Sequence, residues 1–144
     1  MMVLEFISKI LLLFFLGAAA VLDFRKRELP LIYIGAGFVT GAILRLVIGE
    51  PSALELLLGC LVGAIFLLIA RISREAIGYG DGLMIIATGA FLGLIDNVLL
   101  MLCAVTLAAL FSIGLLILKK WKRKDEIPFI PFLLGGYVVL LAVF

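Results

Sequence analysis

Histidine is absent from the 144-residue chain. That excludes Ser-His-Asp and Cys-His catalysis, and any metal site built on imidazole. Cysteine is scarce: Cys60 and Cys103 each lie inside a long apolar run. They read as small buried hydrophobes, not as a disulfide or zinc ligands. Charge is scarce as well, at 15% of residues with a net charge of +2. What fills the chain instead is apolar: 66% of residues are hydrophobic and the mean hydropathy is +1.38. Soluble domains are nearer half apolar. A soluble core of this size has no room for so much apolar surface, so lipid is the solvent for most of it. The length fits one domain, residues 1–144, with nothing left over for a sizeable soluble module.

A spanning helix needs roughly 20 apolar residues. Six candidates appear, at about Ile7–Leu22, Leu31–Ile48, Leu54–Ala70, Leu83–Ile95, Val98–Leu118 and Pro128–Phe144. The fold class is therefore an all-α integral membrane protein, a bundle of six transmembrane helices. The first helix extends back toward Met2 if Glu5 and Lys9, spaced i,i+4, pair at the interface. The fourth is short and is expected to start near Gly80. Asp96 and Asn97 read as a bare turn between the fourth and fifth. Ser52 and Glu55 have capping-box spacing after Pro51. Gly37/Gly41, Gly59/Gly63 and Gly89/Gly93 are small-xxx-small pairs that let membrane helices approach closely. Arg45 is expected to snorkel at the end of its helix, and Trp121 to lie at an interface.

Ten of the twelve basic residues fall in the first, third and fifth linkers. The positive-inside rule puts those linkers in the cytoplasm and both termini outside. "LLLFFLGAAAVLD" looks like a signal peptide, but its positive cluster follows the apolar run instead of preceding it, so cleavage is not expected.

Two acids flank helices on the cytoplasmic side outside any mixed-charge tail. Asp23 ends the first helix and Asp81 begins the fourth. Topology sets them at one depth, and an ionisable group there is a functional candidate. Two neighbouring carboxylates share a proton and titrate in coupled steps. One can take a proton from water while the other protonates a departing amine. Glycines 78, 80 and 82 alternate around Asp81 in "GYGDG", where a bendable backbone without Cβ atoms lets a substrate chain approach. The bland alternatives are equally available to the residues alone: Asp81 as a helix cap, and Asp23 balancing Arg25 or Arg27. A nucleotide loop is weak here, because G-Y-G-D-G is not G-x-G-x-x-G and no strand precedes it.

"LDFRKRELP" (residues 22–30) resembles the first motif of type IV prepilin peptidases. "GYGD" (78–81) matches the G-x-G-D signature of intramembrane aspartyl proteases, and "IPFIPFLLGGYVVLL" (127–141) resembles the proline-rich start of the family's last helix. The motifs keep the family's order across almost the whole chain. The resemblance implies an aspartic endopeptidase of the cell membrane. Such an enzyme removes the basic leader from type IV prepilins or related pseudopilins at the cytoplasmic face. It implies Asp23 and Asp81 as the catalytic pair, with either as base or acid, and no metal or other cofactor. It also implies a short form without the N-terminal methyltransferase region. Leu83 stands where the family often has lysine, and Leu31 where it often has asparagine, which bears on substrate preference. Leu22 precedes Asp23, unlike the tyrosine of presenilin-like proteases.

Gly78, Gly80, Gly82, Pro128 and Pro131 are the candidate substrate contacts. The two prolines also suit a plain helix start. The expected partners are the prepilin or pseudopilin and membrane lipids, whose anionic headgroups meet the loop cations. No nucleic-acid partner is expected. Glu28, Glu75, Asp125 and Glu126 are candidates to meet the basic leader. The rival function is a small proton-coupled transporter or channel, which prefers charges near the bilayer midplane and internal repeats. The acids here sit at one face, and repeats are missing.

Overall fold

A computed structural model describes residues 2–49, 53–73, 78–119 and 127–144. It has six α-helices: α1 (Met2–Lys26), α2 (Leu31–Ile48), α3 (Ala53–Ile72), α4 (Tyr79–Leu92), α5 (Leu94–Ile117) and α6 (Ile130–Val143). The expectations for Pro51, Ser52, Glu75, Trp121, Asp125 and Glu126 lie outside the described residues.

Four helices, α1, α2, α3 and α5, are long and apolar enough to cross a membrane. The other two, α4 and α6, have 14 residues each. At about 1.5 Å rise per residue each measures roughly 21 Å, short of a hydrocarbon core of roughly 30 Å. For α4, burial explains the tolerance. The central helix is α4, packed chiefly on α3 and α2 and touching α1 and α5 as well. Met84, Ile85, Ala87, Thr88, Ala90 and Phe91 are all buried in it. A helix enclosed by protein need not match the thickness of the lipid around its neighbours.

Glycines set the closest approaches. A Cβ at Gly59 would collide with the backbone of Gly89 and Gly93, and one at Gly63 with the backbone of Ile86. The small-xxx-small reading of α3 and α4 therefore holds at the backbone. Gly37 and Gly41 serve differently, making room for the rings of Phe15 and Phe91. Phe15 also stacks on Tyr33 with centroids 4.9 Å apart, tying α1 to α2. Between α5 and α6 the close contact is Gly136 against the backbone of Leu100 and Ala104.

Three local expectations are corrected. Asp96 and Asn97 do not form the turn; they belong to the first turn of α5. The break falls at Gly93, whose φ of 80° is a left-handed value that favours glycine. Arg45 does not snorkel away. Its side chain is only 20% exposed, and its Nη1 donates to the carbonyl of Phe91 at 2.9 Å. That carbonyl is one of the last in α4, where no intrahelical donor remains. A guanidinium at a helix C-terminus also complements the macrodipole. The same guanidinium forms an ion pair with Glu55 at 3.4 Å. Finally, Glu5 and Lys9 form no ion pair with each other, although α1 does run back to Met2.

Candidate active site

Asp23 lies in the last turn of α1 and Asp81 in the first turn of α4. Consecutive helices run back and forth through the bundle, so both turns come to the same end, with the start of α6. Asp81 is close enough to Asp23 for their charges to interact. Both carboxylates are half-buried.

The bland readings fare differently. Asp81 occupies the first turn of α4, yet the helix start shows no side-chain capping bond; its N-cap is Gly78. Asp81 contributes its backbone N–H, donated to the Gly78 carbonyl at 3.2 Å. Its carboxylate sits beside Gly78, where an added Cβ would come within 3.2 Å of Oδ2. Asp23 forms no ion pair with Arg25 or Arg27, although the Arg27 charge is near enough to act on it. Its Oδ2 instead accepts the backbone N–H of Ile130 at 3.3 Å. Ile130 is the first residue of α6, and its N–H is one of the donors a helix start leaves free. The sequence reading missed this contact, which joins residues 107 positions apart.

The other candidates separate on inspection. Gly80 has open space where a Cβ would project. Gly82 is buried and faces Leu67 of α3, so its place is in helix packing. None of Gly78, Gly80 and Gly82 has a positive φ, and the latter two are helical. Missing Cβ atoms, not an unusual backbone, are what these glycines supply. Pro131 lies in the first turn of α6 and Pro128 just before the helix. Between them, Phe129 stacks on Phe66 of α3 with centroids 6.3 Å apart. Leu83 packs against the core, whereas Leu31 is 72% exposed. Among the described residues no group of three or more Cys, Asp or Glu side chains could hold a metal ion.

A multi-pass helical membrane protein with two carboxylates gathered at one end is the class that fold and site define. Comparison with known proteins makes this specific. The family model described as "Type IV leader peptidase family" matches residues 10–117, which include Asp23 and Asp81, and the chain belongs to that family. It is similar to the prepilin leader peptidase/N-methyltransferase of Aeromonas salmonicida, 36% identical over 69 residues. The protein of the same name from Aeromonas hydrophila is 35% identical over 69 residues. Each alignment covers 47% of this chain but 24% of the relative's length. No solved structure matches.

Proposed function

We propose that the chain is a membrane-embedded aspartic endopeptidase that removes the basic leader of a type IV prepilin or pseudopilin at the cytoplasmic face of the membrane. The observation that carries the reading is the placement of Asp23 and Asp81 at one end of the bundle, near enough for their charges to interact, from helices far apart in sequence. Family membership and the names of the Aeromonas relatives support it.

The chemistry follows from two carboxylates sharing one proton. The ionised member takes a proton from a water molecule, and the oxygen of that water attacks the scissile carbonyl. The protonated member gives its proton to the departing amine as the C–N bond breaks. The first member, now protonated, returns the dyad to its starting charge. Such acid–base assistance contributes typically 10²–10⁴-fold. The Ile130 N–H fixes the orientation of Asp23. The open face at Gly80 leaves room for an extended backbone beside Asp81. Cytoplasmic placement rests on the arginine- and lysine-rich linkers. Glu28, exposed just beyond α1, is the described acid proposed to meet the basic leader. The transporter reading wants charges near midplane, and Asp23 and Asp81 sit at helix ends.

The test is the purified full chain in detergent with a prepilin-like peptide. Asp23→Asn and Asp81→Asn are each expected to abolish cleavage while the helical circular dichroism stays intact. Normal cleavage by either variant would remove the dyad assignment.

A further inference from the structure

The aspartates hold one end of the bundle; the other end contains a cavity of about 270 Å³. Its polar lining is Glu5, Ser8 and Lys9 of α1, Arg45 of α2, Asp96 of α5 and Tyr137 of α6. These residues lie near the start of α1, the end of α2 and the start of α5, so the recess sits where the helices reach the membrane surface. The proposed hydrolysis uses none of them.

Three features restrict what can fill it. The charges are not consumed by one another: Glu5, Lys9 and Asp96 form no ion pair among the described residues, where the ion pair found is Arg45–Glu55. Arg45 also retains a buried Nε without a partner. The Tyr137 hydroxyl turns to the backbone, donating to the Lys9 carbonyl at 3.1 Å. Second, the wall carries both signs, with carboxylates at Glu5 and Asp96 and cations at Lys9 and Arg45. An anion alone leaves Glu5 and Asp96 unanswered, and a cation alone leaves Lys9 and the Arg45 Nε–H, whereas a zwitterion answers both. Third, the turns of α1 that supply Glu5 and Lys9 also expose Val3 and Phe6. An acyl chain beside the recess would lie against those side chains.

We propose that the recess binds a phosphoethanolamine group, presented by a phospholipid of the adjoining leaflet. Lys9 and Arg45 hold the phosphate, and Glu5 and Asp96 hold the primary ammonium. A primary ammonium offers three N–H donors to carboxylates. A quaternary choline offers none, and a glycerol headgroup offers no cation. At roughly 30 Å³ per water the cavity has room for about nine waters, which the headgroup displaces. The bound lipid would tie α1 to α2, α5 and α6 at the end where helix ends meet solvent.

The experiment is native mass spectrometry of the purified full chain with phosphatidylethanolamine, phosphatidylcholine and phosphatidylglycerol of identical acyl chains. A fourth arm uses glycerophosphoethanolamine, which has the headgroup and no chains. Phosphatidylethanolamine should be retained about tenfold better than the other two lipids, the worth of roughly one charged hydrogen bond. Lys9→Gln should weaken retention of all three lipids alike and Asp96→Asn should erase the preference, whereas Asp81→Asn should change neither. Neither of the first two side chains makes a hydrogen bond or ion pair among the described residues, so both variants should fold. Circular dichroism checks this for each. Equal retention of the three lipids, a preference that survives Asp96→Asn, or retention untouched by Lys9→Gln overturns the site. Displacement of the lipid by equimolar glycerophosphoethanolamine overturns the lipid source and assigns the recess to a soluble ligand.

Discussion

Replacing Asn97 tests how the short central helix is held. Asn97 is 1% exposed in the first turn of α5, within an otherwise apolar setting. Its Nδ2 donates to the carbonyls of Gly59 in α3 and Ile85 in α4, both at 3.0 Å. Its Oδ1 accepts the Thr88 hydroxyl at 2.8 Å. One side chain thus joins three helices through three bonds. Hydrogen bonds between membrane helices average about 0.6 kcal/mol and reach about 1.7. Asn97→Ala should therefore cost about 2 kcal/mol from the bonds, with some addition for the vacated volume. The value should stay near the low end, because the Thr88 hydroxyl has the Ile85 carbonyl within 3.0 Å as an alternative. Asn97→Asp should be worse. It replaces a donor by a carboxylate facing two carbonyl oxygens, and a buried charge left without a partner costs more than a lost neutral hydrogen bond. Thr88→Ala, which removes one hydroxyl donor shared between Asn97 Oδ1 and the Ile85 carbonyl, should cost least. Reversible unfolding of the full chain in mixed micelles, titrated with denaturing detergent, ranks the three. A loss below about 0.5 kcal/mol for Asn97→Ala would refute the account.

Other outcomes follow from the glycines, the arginine and the dyad. Gly89→Ala drives a methyl into the Gly59 carbonyl and should cost about 1–3 kcal/mol in the same unfolding assay. Gly80→Ala meets nothing and should leave stability unchanged; if Gly80 gives way to substrate, cleavage alone will fall. Arg45→Met strips a donor from the end of α4 and should destabilise the bundle more than Glu55→Gln, which touches an exposed ion pair. Cleavage by the wild type should peak between two pH limits. Below the lower, both carboxylates are protonated and no base remains; above the upper, both are ionised and no acid remains. A rate that rises without turning over would count against a shared proton.

The six helices were legible because apolar runs, broken by charged linkers, are a strong signal. That Asp23 and Asp81 lie at one end was legible too, since each sits at a helix end and the passages alternate. What escaped was polar chemistry inside the bundle. Asp-Asn has the composition of a turn, and nothing local reveals that Asn97 faces two backbone carbonyls. Those partners come within reach because Gly59 and Gly89 let α3 and α4 touch. Arg45 escaped for a related reason: its acceptor, the Phe91 carbonyl, is freed by the helix break at Gly93. The glycine there does double service, since a Cβ would also strike the guanidinium. The contact between Asp23 and Ile130 was invisible because no periodicity links positions so distant.

That last contact also orders events in time. The chain is made from its N-terminus, so Asp23 and Asp81 reach the membrane well before residue 130 exists. Until α6 has inserted and its first N–H has docked, one carboxylate lacks the group that orients it. A ribosome-bound chain holding five helices carries both acids and still has an unfinished centre. For the proposed dyad, the docking of α6, not the arrival of the second aspartate, would then set the moment at which hydrolysis can begin.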